Sequence, residues 1–363
     1  MIFKRSAEGD PRTPDLAGLV AELEQGVAAR DGARVEAAFN ALGRTLQQSG
    51  DEESAAAGPR LAALIPGFPP TGPRAVLAVM SGACVERGAD AAACAEPILD
   101  GALNALRDAA RFADLWRGSA TADLPAPDEM NDAVIEGFAE AAQLHPMDAL
   151  VLALAWIYLD EWQMAALAVL SRGDAVRRGL GERRTELLAA VETVAALDVH
   201  DLKCLAYALL VLDDEPLVVL HRPTGTGYRV RISGIGDNFQ LHTLLAHALI
   251  GGGHLPGKPP AAEVVAVSLD RELPEGARLD TEGAFNLVSP DGSWIWNEGT
   301  PSDIPVVDGV RLLVLDPPPY PRGWNAGRFF PNMPASLALE AVLPPTEAAD
   351  WFAHVKPASP KGT

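Results

Sequence analysis

At Asp213-Asp214-Glu215-Pro216-Leu217-Val218-Val219-Leu220 the character of the chain changes. Upstream, Ala and Leu recur at helical spacing; downstream, β-branched residues come in short runs between glycine and proline turns. Leu217 to Leu220 reads as a buried strand. Thr224-Gly225-Thr226-Gly227 is a tight turn, and Tyr228-Arg229-Val230-Arg231-Ile232 alternates polar and apolar as a half-buried strand does. These pieces predict a β-hairpin. Gly234-Ile235-Gly236 turns the chain into a helix from Phe239 to Ile250, with Asp237 or Asn238 as N-cap and Gly251-Gly252-Gly253 as its stop.

Further strands are expected at 263–269, 284–288, 293–297, 310–315 and 335–343, and a short helix at 346–355. The tail after Lys356 is expected to fray. Between the last two strands lies the loop 316–334, DPPPYPRGWNAGRFFPNMP.

Working back from residue 213, the spacing predicts helices almost throughout. Thr13-Pro14-Asp15 has the chemistry of a helix start, and Leu16, Leu19, Val20, Leu23 and Val27 follow on one face. Asp31-Gly32 breaks this helix and begins the next, giving an αα-hairpin. Residues 51–59 and 66–73 read as loops, with short helices near 60–65 and 74–87. A helix over 90–117 follows, in which Pro97 marks a new start. Residues 118–127 read as a linker. Helices are then expected near 128–143, 147–159, 161–171, 182–197 and 199–212, in pairs that suggest a solenoid or an irregular bundle. The fold class is therefore α+β: an α-helical scaffold domain over 1–215, a mixed α/β domain over 216–345, and a short helix and tail over 346–363.

Charge and cysteines bound the function. The net charge is −20; residues 1–215 hold 18 Lys/Arg against 34 Asp/Glu, and the remainder 11 against 15. So acidic a helical half repels phosphate backbones, so no nucleic-acid partner is expected, whereas a basic protein partner would suit it. Three cysteines, Cys84, Cys94 and Cys204, make no disulfide framework. Residues 1–10 show no apolar run after Lys4-Arg5, so no secretory signal is expected. The longest apolar stretch, Ala149 to Leu159, is too short for a bilayer and reads as a buried helix. A cytoplasmic location away from membranes is the expectation.

No catalytic set stands out. His221, His242, His247 and His254 cluster, but His242 and His247 are five apart, about 140° around a helix, and lack the H-E-x-x-H pattern. His200 and Cys204 share a helix face beside Asp198 and Asp201, without a second cysteine nearby. The glycine turns match neither G-x-G-x-x-G nor the Walker pattern, and Asp237 would repel an anion at the second of them. Accordingly no cofactor and no metal are expected. The enzymatic alternative is a metal-assisted or His/Asp-dependent hydrolase built on His221, Asp237 and His242.

The loop 316–334 offers more. Tyr320, Trp324, Phe329 and Phe330 sit among prolines, with Arg322 and Arg328 interleaved. Proline lowers the entropy lost on binding, and Tyr, Trp and Arg are common interface anchors. The sequence thus predicts a non-catalytic protein-binding, adaptor or assembly protein with these six residues on its recognition surface. A small-ligand sensor is the second alternative.

Overall fold

The computed structural model describes residues 15–70, 72–119, 123–274 and 276–359. It divides into two compact units. The first takes the described residues up to Val176 together with Gly181–Leu205; the second takes Arg177–Leu180 and the chain from Ala206 onward.

The helical part runs through α1 (Leu16–Ala29), α2 (Gly32–Gln48), α3 (Asp51–Leu64), α4 (Gly72–Glu86), α5 (Ala91–Ser119), α6 (Asp132–Ala141), α7 (Pro146–Ile157), α8 (Leu159–Arg172), α9 (Asp174–Gly179), α10 (Glu182–Ala195) and α11 (Lys203–Leu210). The α1–α2 hairpin forms as its apolar stripe predicts, burying Leu16, Leu19, Val20 and Leu23. Its N-cap is Asp15, whose side chain accepts from the Gly18 amide at 2.7 Å. Thr13 and Pro14 lie outside the described residues. The long α5 packs against α3, α7, α8 and α10, which makes the unit an irregular bundle rather than a stack of repeats.

Two readings of this half need correction. Residues 51–59 are helical: Asp51, Glu52 and Glu53 favour the positive end of α3, and Ala57, Gly58, Leu61 and Ala62 are buried. Pro59 and Pro97 lie inside α3 and α5 instead of marking breaks. Each removes one helical hydrogen bond, a cost that burial of the surrounding residues outweighs. The apolar stretch 149–159 is divided at Tyr158, where α7 and α8 meet at 55°. Among the described residues no single helix is long and apolar enough to cross a membrane.

The second unit comprises β1 (Glu215–His221), β2 (Thr226–Ser233), α12 (Asn238–Ala246), α13 (Ala262–Leu269), β3 (Asp280–Glu282), β4 (Asn286–Val288), β5 (Val306–Val307), β6 (Val310–Asp316), β7 (Gly323–Asn325), β8 (Ser336–Val342) and α14 (Pro345–Phe352). The main sheet has the order β4-β6-β1-β2-β8, with β5 hairpinned onto β6. β1 pairs antiparallel with β2, Val219 opposite Tyr228, and parallel with β6, Leu217 opposite Arg311. Being central, β1 buries both faces. Leu217 and Val219 join the core under α12, with Leu241, Leu244 and Leu245. Val218 and Leu220 join a smaller core closed by Ala348, Trp351 and Phe352 of α14. That two-sided burial is why β1 reads as a continuous apolar run.

Residues 263–269 form helix α13, not a strand. The Ser268 hydroxyl donates to the Val264 carbonyl at 2.8 Å, and the Gln240 side chain donates to the Ser268 carbonyl at 2.8 Å. Valine costs a helix only tenths of a kcal/mol per residue, about 0.5, and burial of Val264, Val265 and Val267 exceeds that. Of the expected strand 293–297, only Trp294 makes a bridge, to Val288. The tail is pinned through residue 359: the amides of Lys356 and Ser359 donate to the carbonyls of Pro290 and Gly292. At the start of this unit, Arg177 and Asp213 form a two-pronged ion pair at 2.7 Å, each side chain 2% exposed.

Candidate functional site

The loop after β6 separates into two parts. Pro317 to Pro321 is exposed throughout, and Tyr320 is 50% exposed. From Arg322 onward the chain folds back. β7 pairs with β3, placing Trp324 opposite Thr281. Trp324 then packs on Phe239 (ring centroids 5.3 Å) and His242 (5.0 Å). Arg322 donates to the Phe285 carbonyl at 2.7 Å. Phe330 is buried against Gly236, where a Cβ would come within 3.0 Å of its ring. Phe329 packs on Tyr207 at 5.1 Å.

This folding-back builds a groove of about 530 Å³ between α13, the start of α12 and residues 324–332. Phe239, Trp324 and Phe329 supply its apolar surface. Arg328 ties two of its walls together, donating to the carbonyls of Arg271 (3.2 Å) and Pro331 (3.1 Å). Arg271 is exposed on the rim, and its guanidinium has no partner among the described residues. In the β3–β7 ladder the Gly283 amide donates to Arg322 and the Ala326 amide to Leu279. That phase turns the main-chain N–H and C=O of Asn325, a residue of the groove wall, away from β3. The Asn325 side chain is already engaged, accepting from the Leu279 amide at 2.9 Å.

Of the six residues singled out in the loop, Trp324, Arg328 and Phe329 line the groove, Tyr320 faces solvent, and Arg322 and Phe330 turn inward. Phe239, Arg271 and Asn325 escaped sequence reasoning. Arg271 follows α13, and reading that helix as a strand left the arginine in an undistinguished turn.

His221, Asp237 and His242 each have a local duty. The His221 Nδ1 lies 2.8 Å from the Thr224 hydroxyl, and burial lowers its pKa against the pull of Asp316. Asp237 caps α12, accepting from the Gln240 amide at 2.8 Å. His242 Nε2 accepts from the amides of Ala284 (2.9 Å) and Phe285 (3.1 Å), so the ring is neutral with its proton on Nδ1. Burial, reinforced by the nearby Arg322 charge and opposed by Asn297, brings its pKa down to about 3. Both imidazoles lean on Phe285, at 6.1 and 5.6 Å between centroids.

The remaining candidates also find structural partners. His200 is buried edge-on against Trp156 at 4.5 Å, and burial lowers its pKa more than Asp160 raises it. Asp201 caps the start of α11 through the Lys203 amide. The Gly236 amide, which an anion would need, donates to Gln240 Oε1 at 3.0 Å. Burial raises the Cys84 thiol to about 12, which suppresses the thiolate. Among the described residues no group of three His, Cys, Asp or Glu side chains could hold a metal ion.

Searches of protein-family models, curated proteins and solved structures returned no match to this chain.

Proposed function

We propose that the chain is a non-catalytic binding or adaptor protein, and that the groove of the second unit receives an extended segment of a protein partner. One observation carries this reading: a groove of mixed polar and aromatic lining that combines an outward-facing main-chain pair at Asn325 with an unpaired guanidinium at Arg271. An extended peptide supplies what each lacks. Its backbone would pair with Asn325 as an added strand, and alternate side chains would meet Phe239 and Trp324. A carboxylate on the segment would meet Arg271 in a charge-assisted bond. With the whole chain at −20, a partner that is basic overall but acidic in this one segment would be steered in and then fixed in register.

Peptide display against the immobilised full chain tests the reading. Enriched peptides are expected to pair an acidic residue with apolar residues at alternate positions. Arg271→Glu should weaken them about tenfold or more. The exposed position of Arg271 keeps this substitution harmless to folding, unlike changes at the inward-packed Trp324 or Phe330. Peptides that bind the variant as tightly as the parent chain would refute the groove as the recognition surface.

A further inference from the structure

The first unit contains a second cleft, smaller than the groove. It is narrow, about 40 Å³, and lies among α4, α5, α7 and α8. Gly72 and Gly101 shape it. A Cβ at Gly101 would lie 2.2 Å from the Trp162 ring, and one at Gly72 would lie 2.5 Å from the Tyr158 ring. Glycine at both positions lets these aromatics close over the helices and form two sides of the cleft.

Arg74 and Asp108 both line it, and no ion pair joins them. Arg74 Nε is buried without a hydrogen-bond partner. Among the described residues its guanidinium has none either. Asp108 accepts no hydrogen bond among them, and its one electrostatic neighbour is Arg111, a turn further along α5. Burial lowers the pKa of Arg74 and raises that of Asp108, as expected of opposite charges withdrawn from water without being brought together. Arg34, Arg60, Arg107 and Arg183, in the same unit, each sit on a carboxylate at 2.7 or 2.8 Å. Arg74 stands apart. A half-buried charge left unsatisfied costs stability, and its persistence asks for a ligand.

We propose that this cleft binds a small free α-amino acid, with its carboxylate on Arg74 and its ammonium on Asp108. A zwitterion carries both complements a few bonds apart, so one molecule answers both side chains. Asn104 at the rim adds a polar contact for either end. So small a cleft favours glycine, alanine or serine over amino acids with long side chains. Leu154, Tyr158 and Trp162 form an apolar wall, and charges held beside such a wall attract each other more strongly than in open water.

Calorimetric titration of the full chain with glycine, L-alanine and L-serine tests this site. At least one is expected to bind saturably. Glycine methyl ester and N-acetylglycine, each lacking one charge, should bind about tenfold more weakly or worse. Arg74→Met and Asp108→Asn should show the same loss at unchanged helical circular dichroism, while Arg271→Glu should bind normally. The analogues probe the unmodified chain, so the result stands even if a variant misfolds. Silence from all three amino acids at about 10 mM would overturn the proposal. So would equal binding of the ester and the acetylated form.

Discussion

Two arginines, one in each unit, show opposite treatments of buried charge. In the second, the side chains of Arg177 and Asp213 are each 2% exposed and meet through two bonds of 2.7 Å. In the first, Arg74 and Asp108 are withdrawn from water with neither touching the other. The same residue types thus serve two ends. A closed pair holds a segment in place, and its worth is felt only when one member is removed. An open pair gives up stability and keeps two charges ready for a visitor. The difference teaches that burial alone does not distinguish structural from functional charge; the presence of a partner does.

The contrast is sharpest at the closed pair. Asp213→Ala should strip the Arg177 guanidinium of its counter-charge and cost about 3–5 kcal/mol in chemical denaturation. A loss under about 1 kcal/mol would mean the pair is no more than a surface bridge, and the contrast would fail. Next comes pH. The His242 pKa is depressed from the ordinary 6.5 to about 3, so the unfolded chain binds the proton that the folded chain refuses. Its contribution is complete above pH 6.5 and is lost as pH falls toward 3. Stability should therefore drop by about 1–2 kcal/mol between pH 6.5 and 5. His200 and His221, both lowered, act in the same direction. His242→Gln, whose Oε1 can accept the same two amides, should flatten the slope of the urea midpoint against pH.

Gly101→Ala should force Trp162 off its seat and cost about 1–3 kcal/mol, visible as a lowered melting temperature and as loss of amino-acid binding together. The smallest effect separates the pairs most clearly. Arg74→Met should leave stability unchanged or raise it by about 1 kcal/mol. A marked destabilisation instead would make Arg74 a structural residue like Arg177.

Much of the fold is written locally. The α1–α2 hairpin, the β1–β2 hairpin, the Asp237 cap and β6 all follow from spacing and turn chemistry over ten or so residues. The failures share a cause. Val264, Val265 and Val267 look like a strand, yet are helical, buried in a helix whose Ser268 carbonyl accepts from the Gln240 side chain 28 residues earlier. Pro59 looks like a stop until the burial of Leu61 and Ala62 is counted. The groove shows the same division. Trp324 and Phe329 announce themselves by type, whereas Arg271 and Asn325 matter only because β7 turns back onto β3. Arg74 and Asp108 are ordinary letters in amphipathic helices, and only the meeting of four helices gives them a shared cleft.

The neighbours of β1 impose an order on biosynthesis. Its antiparallel partner emerges from the ribosome almost at once, but the parallel neighbour β6 is made only when residues 310–316 appear. Until then Val218, Val219 and Leu220 offer an unpaired edge to any nascent chain nearby. The bundle faces no such delay, since its helices form as they are translated and meet mostly neighbours made shortly before. Truncated products ending before residue 310 should therefore be the sticky ones.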